Sequence, residues 1–217
     1  MSPVSYPPAP WFTHGHAFVA PYVVRVADLQ LPEGLEVVHR GPYTLGLLSY
    51  VVYEAPSPLR YDELIWMPAF VRDRRCGPKA KGWYVSVMYV NEETTLHAGR
   101  EIWKLPKTLA RFERRGDEVT VDGEDGTSLA LRMKAFGPTH TLRSSTATLQ
   151  AHDGATRCRF RASFKASVSP ASVSLSRFES SHPPFMGLAG ARRTPGPAVA
   201  QRHFESTMEA PVFLPRT

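Results

Sequence analysis

The chain has 217 residues, 42% of them hydrophobic and 21% charged, with a formal net charge of +6. That apolar content excludes a largely disordered chain, and two cysteines, Cys76 and Cys158, exclude a disulfide framework. The length suits a single β-rich domain over 1–217, and no apolar run approaches the ~20 residues of a membrane-spanning helix.

Residues 1–11 carry Pro3, Pro7, Pro8 and Pro10 and read as an arm. They show neither the basic nor the apolar region of a secretory signal, so the expected location is cytoplasmic, and the two thiols suit that reducing compartment. A short β-branched strand is expected at 22–26, and a longer apolar one at 43–53 with Gly46 as a bulge. Strands at 61–71 and 83–90 follow, separated by a basic loop that contains Gly77, Pro78 and Gly82. Asn91 then reads as the N-cap of a short helix, with Glu92 and Glu93 in its first turn and a stop at Gly99.

Pro106 cannot continue a helix, so Lys107 begins an extended segment. From there the pattern is a β meander. Strands are expected at 109–113, 118–121, 128–135, 139–149, 157–166 and 172–176, with turns at Gly116, Gly123, Gly126 and Gly154. Residues 178–200 read as a long loop rich in Pro, Gly and Ala, and 203–213 as a last strand. Many short strands with glycine-marked turns predict a mainly β (α+β) fold, a strongly curved antiparallel sheet close to a barrel or cone with a few short helices.

The positive charge clusters in arginines, including the alternating Arg157, Arg159 and Arg161, which would share one solvated or subunit-facing side of a strand. No nucleic-acid motif accompanies them, so no nucleic-acid partner is expected. A positive field favours carboxylate substrates.

The most informative stretch is Gly99-Arg100-Glu101-Ile102-Trp103-Lys104-Leu105-Pro106-Lys107-Thr108-Leu109-Ala110. It sets Lys107 after a proline among Ile102, Trp103, Leu105, Leu109 and Ala110. An ammonium in apolar surroundings loses hydration, and the neutral amine that replaces it can attack a carbonyl to form a Schiff base.

These residues resemble the acetoacetate decarboxylase-like family. There a strand end like Met88-Tyr89-Val90-Asn91 leads through a short helix to Gly-Arg-Glu and Pro-Lys, matched by Gly99-Arg100-Glu101 and Pro106-Lys107. Leu31-Pro32-Glu33-Gly34-Leu35-Glu36 and Tyr61-Asp62-Glu63 resemble two further patches, and His203-Phe204-Glu205 is generally similar. The resemblance implies a cone-like barrel, a homo-oligomer, Lys107 as Schiff-base nucleophile and Glu63 in the active site. Met88, Leu105 and Trp103 are candidates for the pocket wall. Arg100 and Glu101 are expected to hold the turn before Lys107.

Two departures stand in the site itself. The decarboxylases proper carry a second lysine after the nucleophile, where this chain has Thr108, and the family's N-terminal active-site arginine has no counterpart. A lysine is activated by desolvation or by a neighbouring cation, acetoacetate decarboxylase being the usual instance. With Thr108 the adjacent-cation route is missing, and Lys104 is the nearest alternative.

Other constellations carry less. His14-Gly15-His16 offers two histidines without a third ligand, so no metal is expected. Ser180-Ser181-His182 lacks a nucleophile elbow and an acid nearby. No glycine-rich phosphate loop is present and no cofactor is expected. Three readings remain open: a decarboxylase of a β-keto acid such as acetoacetate, an imine-dependent aldolase or dehydratase on the same fold, and a non-catalytic ligand-binding barrel.

Overall fold

The computed structural model describes residues 5–185, 187–194 and 196–216. In chain order the elements are β1 (Trp11–Arg25), β2 (Glu36–Val37), β3 (Tyr43–Glu54), β4 (Tyr61–Met67), β5 (Ala69–Arg72), β6 (Lys81–Tyr84), β7 (Val87–Val90), α1 (Glu93–Trp103) and β8 (Lys107–Arg115). There follow β9 (Glu118–Gly123), β10 (Ser128–Ala135), β11 (His140–Ala151), β12 (Thr156–Glu179), β13 (Arg192–Arg193), β14 (Ala198–Met208) and β15 (Val212–Pro215). The few short helices expected are, among the described residues, one α-helix and three 3-10 turns.

The strands form a single 15-stranded sheet, mainly antiparallel and strongly curved. Curvature closes part of it on itself, because β10 pairs with β9 on one edge and with β12 on the other. The ring runs β12–β10–β9–β8–β7–β4–β3–β1–β14 and returns to β12. Closure leaves these strands without free edges. Every strand of the ring contributes to the core inside it, from Tyr22 and Val24 through Leu64 and Trp66 to Leu129, Leu131 and Ala200. The sheet continues past the ring through β11, β6, β5 and β2. A second core lies outside the ring, where Trp11, Tyr61, Met88 and Val90 pack beneath α1.

Two pairings depart from the antiparallel expectation: β7 with β8, and β11 with β6. Parallel neighbours require a crossover. Between β7 and β8 that crossover is α1, and it brings Lys107 opposite Met88.

The expected strand at 22–26 starts instead at Trp11, so only residues 5–10 of the described chain remain as an arm. Its alternation changes phase: Trp11, Thr13 and Ala17 are buried on one side, Ala20, Tyr22 and Val24 on the other. The strand passes from the outer core to the ring core, and that crossing hides the period. Gly46 makes no bulge, since β1 and β3 pair without a slip from His14↔Glu54 to Arg25↔Tyr43. A Cβ at Gly46 would sit 2.8 Å from Trp66 Cη2, so the glycine makes room for core packing.

Pro68 divides the expected 61–71 strand into β4 and β5, and Pro211 separates β14 from β15. Conversely, β12 runs straight through Pro170. There it exchanges neighbours, pairing with β11 up to Val168 and with β10 from Ala171, so the missing amide donor is tolerated. The expected loop at 178–200 is shorter, because β12 extends to Glu179 and β14 begins at Ala198. Within it, Phe185 and Leu188 are buried against the ring core; Met186 and Pro195 lie outside the described residues.

The three alternating arginines do not share a solvated face. Arg157 is buried, with Nε 2.9 Å from Asp73 Oδ2, whereas Arg161 is exposed. Among the described residues no helix is long and apolar enough to cross a membrane.

Candidate active site

The approach to Lys107 is set by α1. Its N-cap is Glu92 rather than Asn91: the Glu92 carboxylate accepts the Thr94 and Thr95 amides at 2.9 and 2.7 Å, satisfying donors that have no partner within the helix. Asn91 instead accepts the Asp62 amide at 2.8 Å. The helix also runs through Gly99 to Trp103. It ends at Lys104, the one non-glycine residue at positive φ among those described, with φ 56° and ψ 32°. Gly99 lies within the helix for a packing reason. A Cβ there would stand 2.5 Å from Lys107 Cδ and 2.6 Å from Cε, so only glycine lets the lysine stem lie against α1.

Lys107 is 2% exposed and Glu63 3%. The ammonium nitrogen lies 2.9 Å from Glu63 Oε2, and donates to Thr95 Oγ1 at 2.7 Å and to the Tyr61 hydroxyl at 3.3 Å. An ammonium has three hydrogens, and all three are placed. The nitrogen also sits 4.8 Å from the centre of the Tyr61 ring. On the other side of Glu63, the Tyr53 hydroxyl donates to Oε1 at 3.2 Å. Burial, and after it the Glu63 charge, hold both the Tyr53 and Tyr61 hydroxyls well above the ordinary phenol range. Both phenols therefore keep their protons.

The register explains the gathering. Tyr61 and Glu63 are two apart on β4 and share its outer face, and Tyr53 stands opposite Tyr61 on β3. Thr95 is four residues before Gly99, on the same side of α1. The sequence reading brings Lys107 and Glu63 together correctly but surrounds the amine with apolar groups alone. The hydroxyls of Tyr53, Tyr61 and Thr95 were missed. The only available signal was positional: Tyr61 by the two-residue strand period, and Thr95 by its four-residue spacing from Gly99.

Met88, Trp103 and Leu105, the expected pocket wall, are all buried in the cluster beneath α1. Trp103 is fully enclosed, its indole donating to the Glu209 carbonyl at 2.8 Å and meeting Trp11 edge-on at 4.9 Å. Arg100 does hold the turn, donating from Nε to the Lys107 carbonyl at 2.7 Å. Glu101 accepts from the Tyr6 hydroxyl instead, and Lys104 turns its amine to the Glu101 carbonyl at 2.8 Å, away from Lys107.

A cavity of about 220 Å³ touches Lys107 and is also lined by Ser86, Val87, Tyr89, Arg100, Thr108 and His182. None of the three partners of the amine lines it. Adjacent side chains on a strand face opposite ways, so Thr108 faces this cavity while the Lys107 amine lies under α1. His182 has an acid partner after all: Nε2 is 3.4 Å from Asp125 Oδ2, which accepts the Tyr89 hydroxyl at 2.6 Å. Asp125 comes from the turn after β9, too distant in sequence to be recognised.

The model of the family described as acetoacetate decarboxylase (ADC) matches residues 1–188. This chain belongs to the acetoacetate decarboxylase family. No curated protein matches it. Among solved structures, it is similar to the enduracididine biosynthesis enzyme MppR with HEPES buffer bound, at 12% identity and a TM-score of 0.63, over 99% of this chain and 91% of that one. It is similar to acetoacetate decarboxylase from Legionella pneumophila at 15% identity and a TM-score of 0.61, over 98% and 89%. MppR complexed with the condensation product of pyruvate and imidazole 4-carboxaldehyde aligns at 11% identity and a TM-score of 0.56, over 100% and 92%. At these identities the likeness shows that the fold is shared.

Proposed function

We propose that this chain is a lysine-dependent, cofactor-free lyase that acts on a small keto acid, decarboxylating a β-keto acid such as acetoacetate through an iminium on Lys107. The observation that carries this reading is the buried amine of Lys107, held by Glu63, Thr95 and Tyr61. Family membership supports it.

Glu63 takes one proton from the ammonium, leaving a nucleophilic lone pair on Nζ. Nζ bonds to the ketone carbon, and the adduct loses water to give the iminium. The bond to the carboxylate then breaks, its electron pair entering the iminium as carbon dioxide leaves. The proton Glu63 took leaves with the departing water, so the enamine takes at carbon a proton that Glu63 draws from solvent, and water hydrolyses the new iminium to free ketone and the lysine ammonium. Tyr53 holds Oε1 and so keeps Oε2 facing the amine.

Because the pair is buried, substrate reaches it only when a covering element moves. Residues 5–10 are such a cover: Tyr6 and Ala9 pack on the same cluster as Tyr61, Met88 and Leu105, and the Tyr6 hydroxyl bonds Glu101 of α1. Lifting them leaves the ring intact.

A second reading, aldol condensation or dehydration on the same iminium, is favoured by Thr108 standing in place of the second lysine. The pyruvate condensation product seen with MppR fits it too. Borohydride trapping with acetoacetate, then with pyruvate, followed by peptide mass mapping, separates the two. Reduction of an acetone imine onto Lys107 is expected. A Lys107 adduct with pyruvate alone would favour the second reading, and no adduct with either would remove both.

A further inference from the structure

We propose that His14, His203 and Glu205 form a site for one divalent transition-metal ion, with zinc the metal their chemistry suits. It shares no residue with the Lys107 pair. The expectation that His14 ligates nothing rested on His16 being its only companion. The structure separates those two, since His16 Nδ1 lies 3.3 Å from Glu54. His14 faces the other neighbour of β1.

The ligands gather by register. On β14, Glu205 stands directly opposite His14. Between Phe204 and Gln201 the pairing slips, so that Arg202 and His203 on β14 oppose the single residue His16 on β1. This is a bulge, a device that re-aims a side chain. Phe204 turns into the cluster of Ala17, Val51 and Ala166 and is 4% exposed, which leaves His203 and Glu205, two residues apart, on the opposite face of the strand. The ligand atoms of His14, His203 and Glu205 all lie within 4.8 Å of one another. The backbone of His14 is fixed from both sides by Ser57: its amide donates to Oγ at 2.8 Å, and Oγ donates to its carbonyl at 2.9 Å.

Tetrahedral zinc with bonds of about 2.1 Å needs ligand atoms about 3.4 Å apart. His203 and Glu205 are exposed and His14 is half-buried, so modest side-chain rotations close the remaining gap. Two imidazoles and one carboxylate suit zinc, cobalt or nickel, whereas magnesium and calcium prefer oxygen ligands alone. Three protein ligands leave the fourth position open. His14 and Glu205 line a trough of about 480 Å³ that also contains Arg143 and Lys165, so two cations stand beside the site. A small anion, carboxylate or phosphate, is the class of fourth ligand that fits.

The test uses the untagged full chain, stripped with a chelator, freed of it, and titrated calorimetrically with zinc chloride. One ion per chain is expected. His14→Ala, His203→Ala and Glu205→Gln should each weaken binding at least tenfold, while His16→Ala and Cys76→Ser should not. Cobalt should give the visible absorption bands of a low-coordinate site, lost in His203→Ala. Circular dichroism of each variant confirms that it is folded. Binding of less than one ion, or affinity unchanged in folded His203→Ala and Glu205→Gln, would overturn the site. So would equal loss in Cys76→Ser.

Discussion

Two buried ion pairs in this protein share nearly every metric property and differ in what they can do. Lys107–Glu63 and Arg157–Asp73 both span 2.9 Å, with side chains 3% and 3% exposed in the first and 2% and 1% in the second. Each basic residue lies on a strand, and each acid comes from a distant part of the sequence. Around Arg157 everything locks the charge in place. Its Nη2 donates to the Glu33 carbonyl, Arg216 Nε lies 3.3 Å from the same Asp73 oxygen, and Gly34 leaves room for both guanidinium groups. A guanidinium stays protonated, so this pair can only hold β12 to the segment after β5. Around Lys107 the cation can give up a proton, and its partner can accept one. Burial and short distance mark both sites as costly to break; only the chemistry of the cation makes one the candidate for the reaction centre proposed above.

The sharpest way to break this contrast is to make the first pair like the second. Lys107→Arg keeps a positive charge opposite Glu63 and removes the amine. Turnover and borohydride trapping should fall to background while the thermal transition remains cooperative. Appreciable turnover in this variant would sink the nucleophile assignment. Glu63→Gln, which keeps the shape, should slow turnover by about 10²–10⁴-fold through loss of the proton acceptor.

The converse experiment acts on stability. Asp73→Ala leaves Arg157 buried without its carboxylate and should cost about 3–5 kcal/mol, read by denaturant titration. The adduct formed per folded molecule should stay unchanged. A loss of trapping out of proportion to unfolding would show that the two pairs are coupled.

The same contrast explains what could be read from the chain alone. Lys107 and Glu63 were singled out through the family resemblance carried by Gly99-Arg100-Glu101, Pro106-Lys107 and Tyr61-Asp62-Glu63, and the structure sets the two side chains 2.9 Å apart. Arg157 was misread as part of a solvated or subunit-facing side because its partner, Asp73, lies in a basic loop where a single acid gives no pattern. The β-rich class followed from the turns. The length of β1 did not, because Trp11 to Ala17 and Ala20 to Val24 bury opposite sides of one strand. Closure of the ring depends on the β10–β12 pairing, which joins segments that no local period connects.

Gly99 sharpens the contrast further, since only the lysine site depends on a close approach to a helix. By helix propensity alone, Gly99→Ala should stabilise α1 by about 1 kcal/mol. The added Cβ would occupy the place of Lys107 Cδ, however, and must displace the stem. A shift of about 1 Å in the reacting nitrogen costs on the order of 10²-fold in rate. The expected outcome is an enzyme that keeps its fold and loses most of its turnover, with little change in thermal midpoint. Unchanged turnover would mean that the amine works from another position.

The smallest expected effect lies at the cap of the same helix. Burial pushes the Glu92 carboxyl up, but hydrogen bonds from the Thr94 side chain and amide and from the Thr95 amide, with the Lys107 charge nearby, outweigh it and hold the group below the ordinary range. A carboxyl with a depressed folded value contributes stability above its unfolded value of about 4.3, and loses that contribution as the pH falls through the lower folded value. The cap is worth about 1 kcal/mol, and its partly exposed charge contributes less than that because water screens it. Glu92→Gln should therefore lower the thermal midpoint by a constant small amount between about pH 6 and 8, and the difference should shrink below about pH 4.3 and vanish once the pH is below the lower folded value. A difference that persists or grows at low pH would mean that Glu92 acts through its size rather than its charge.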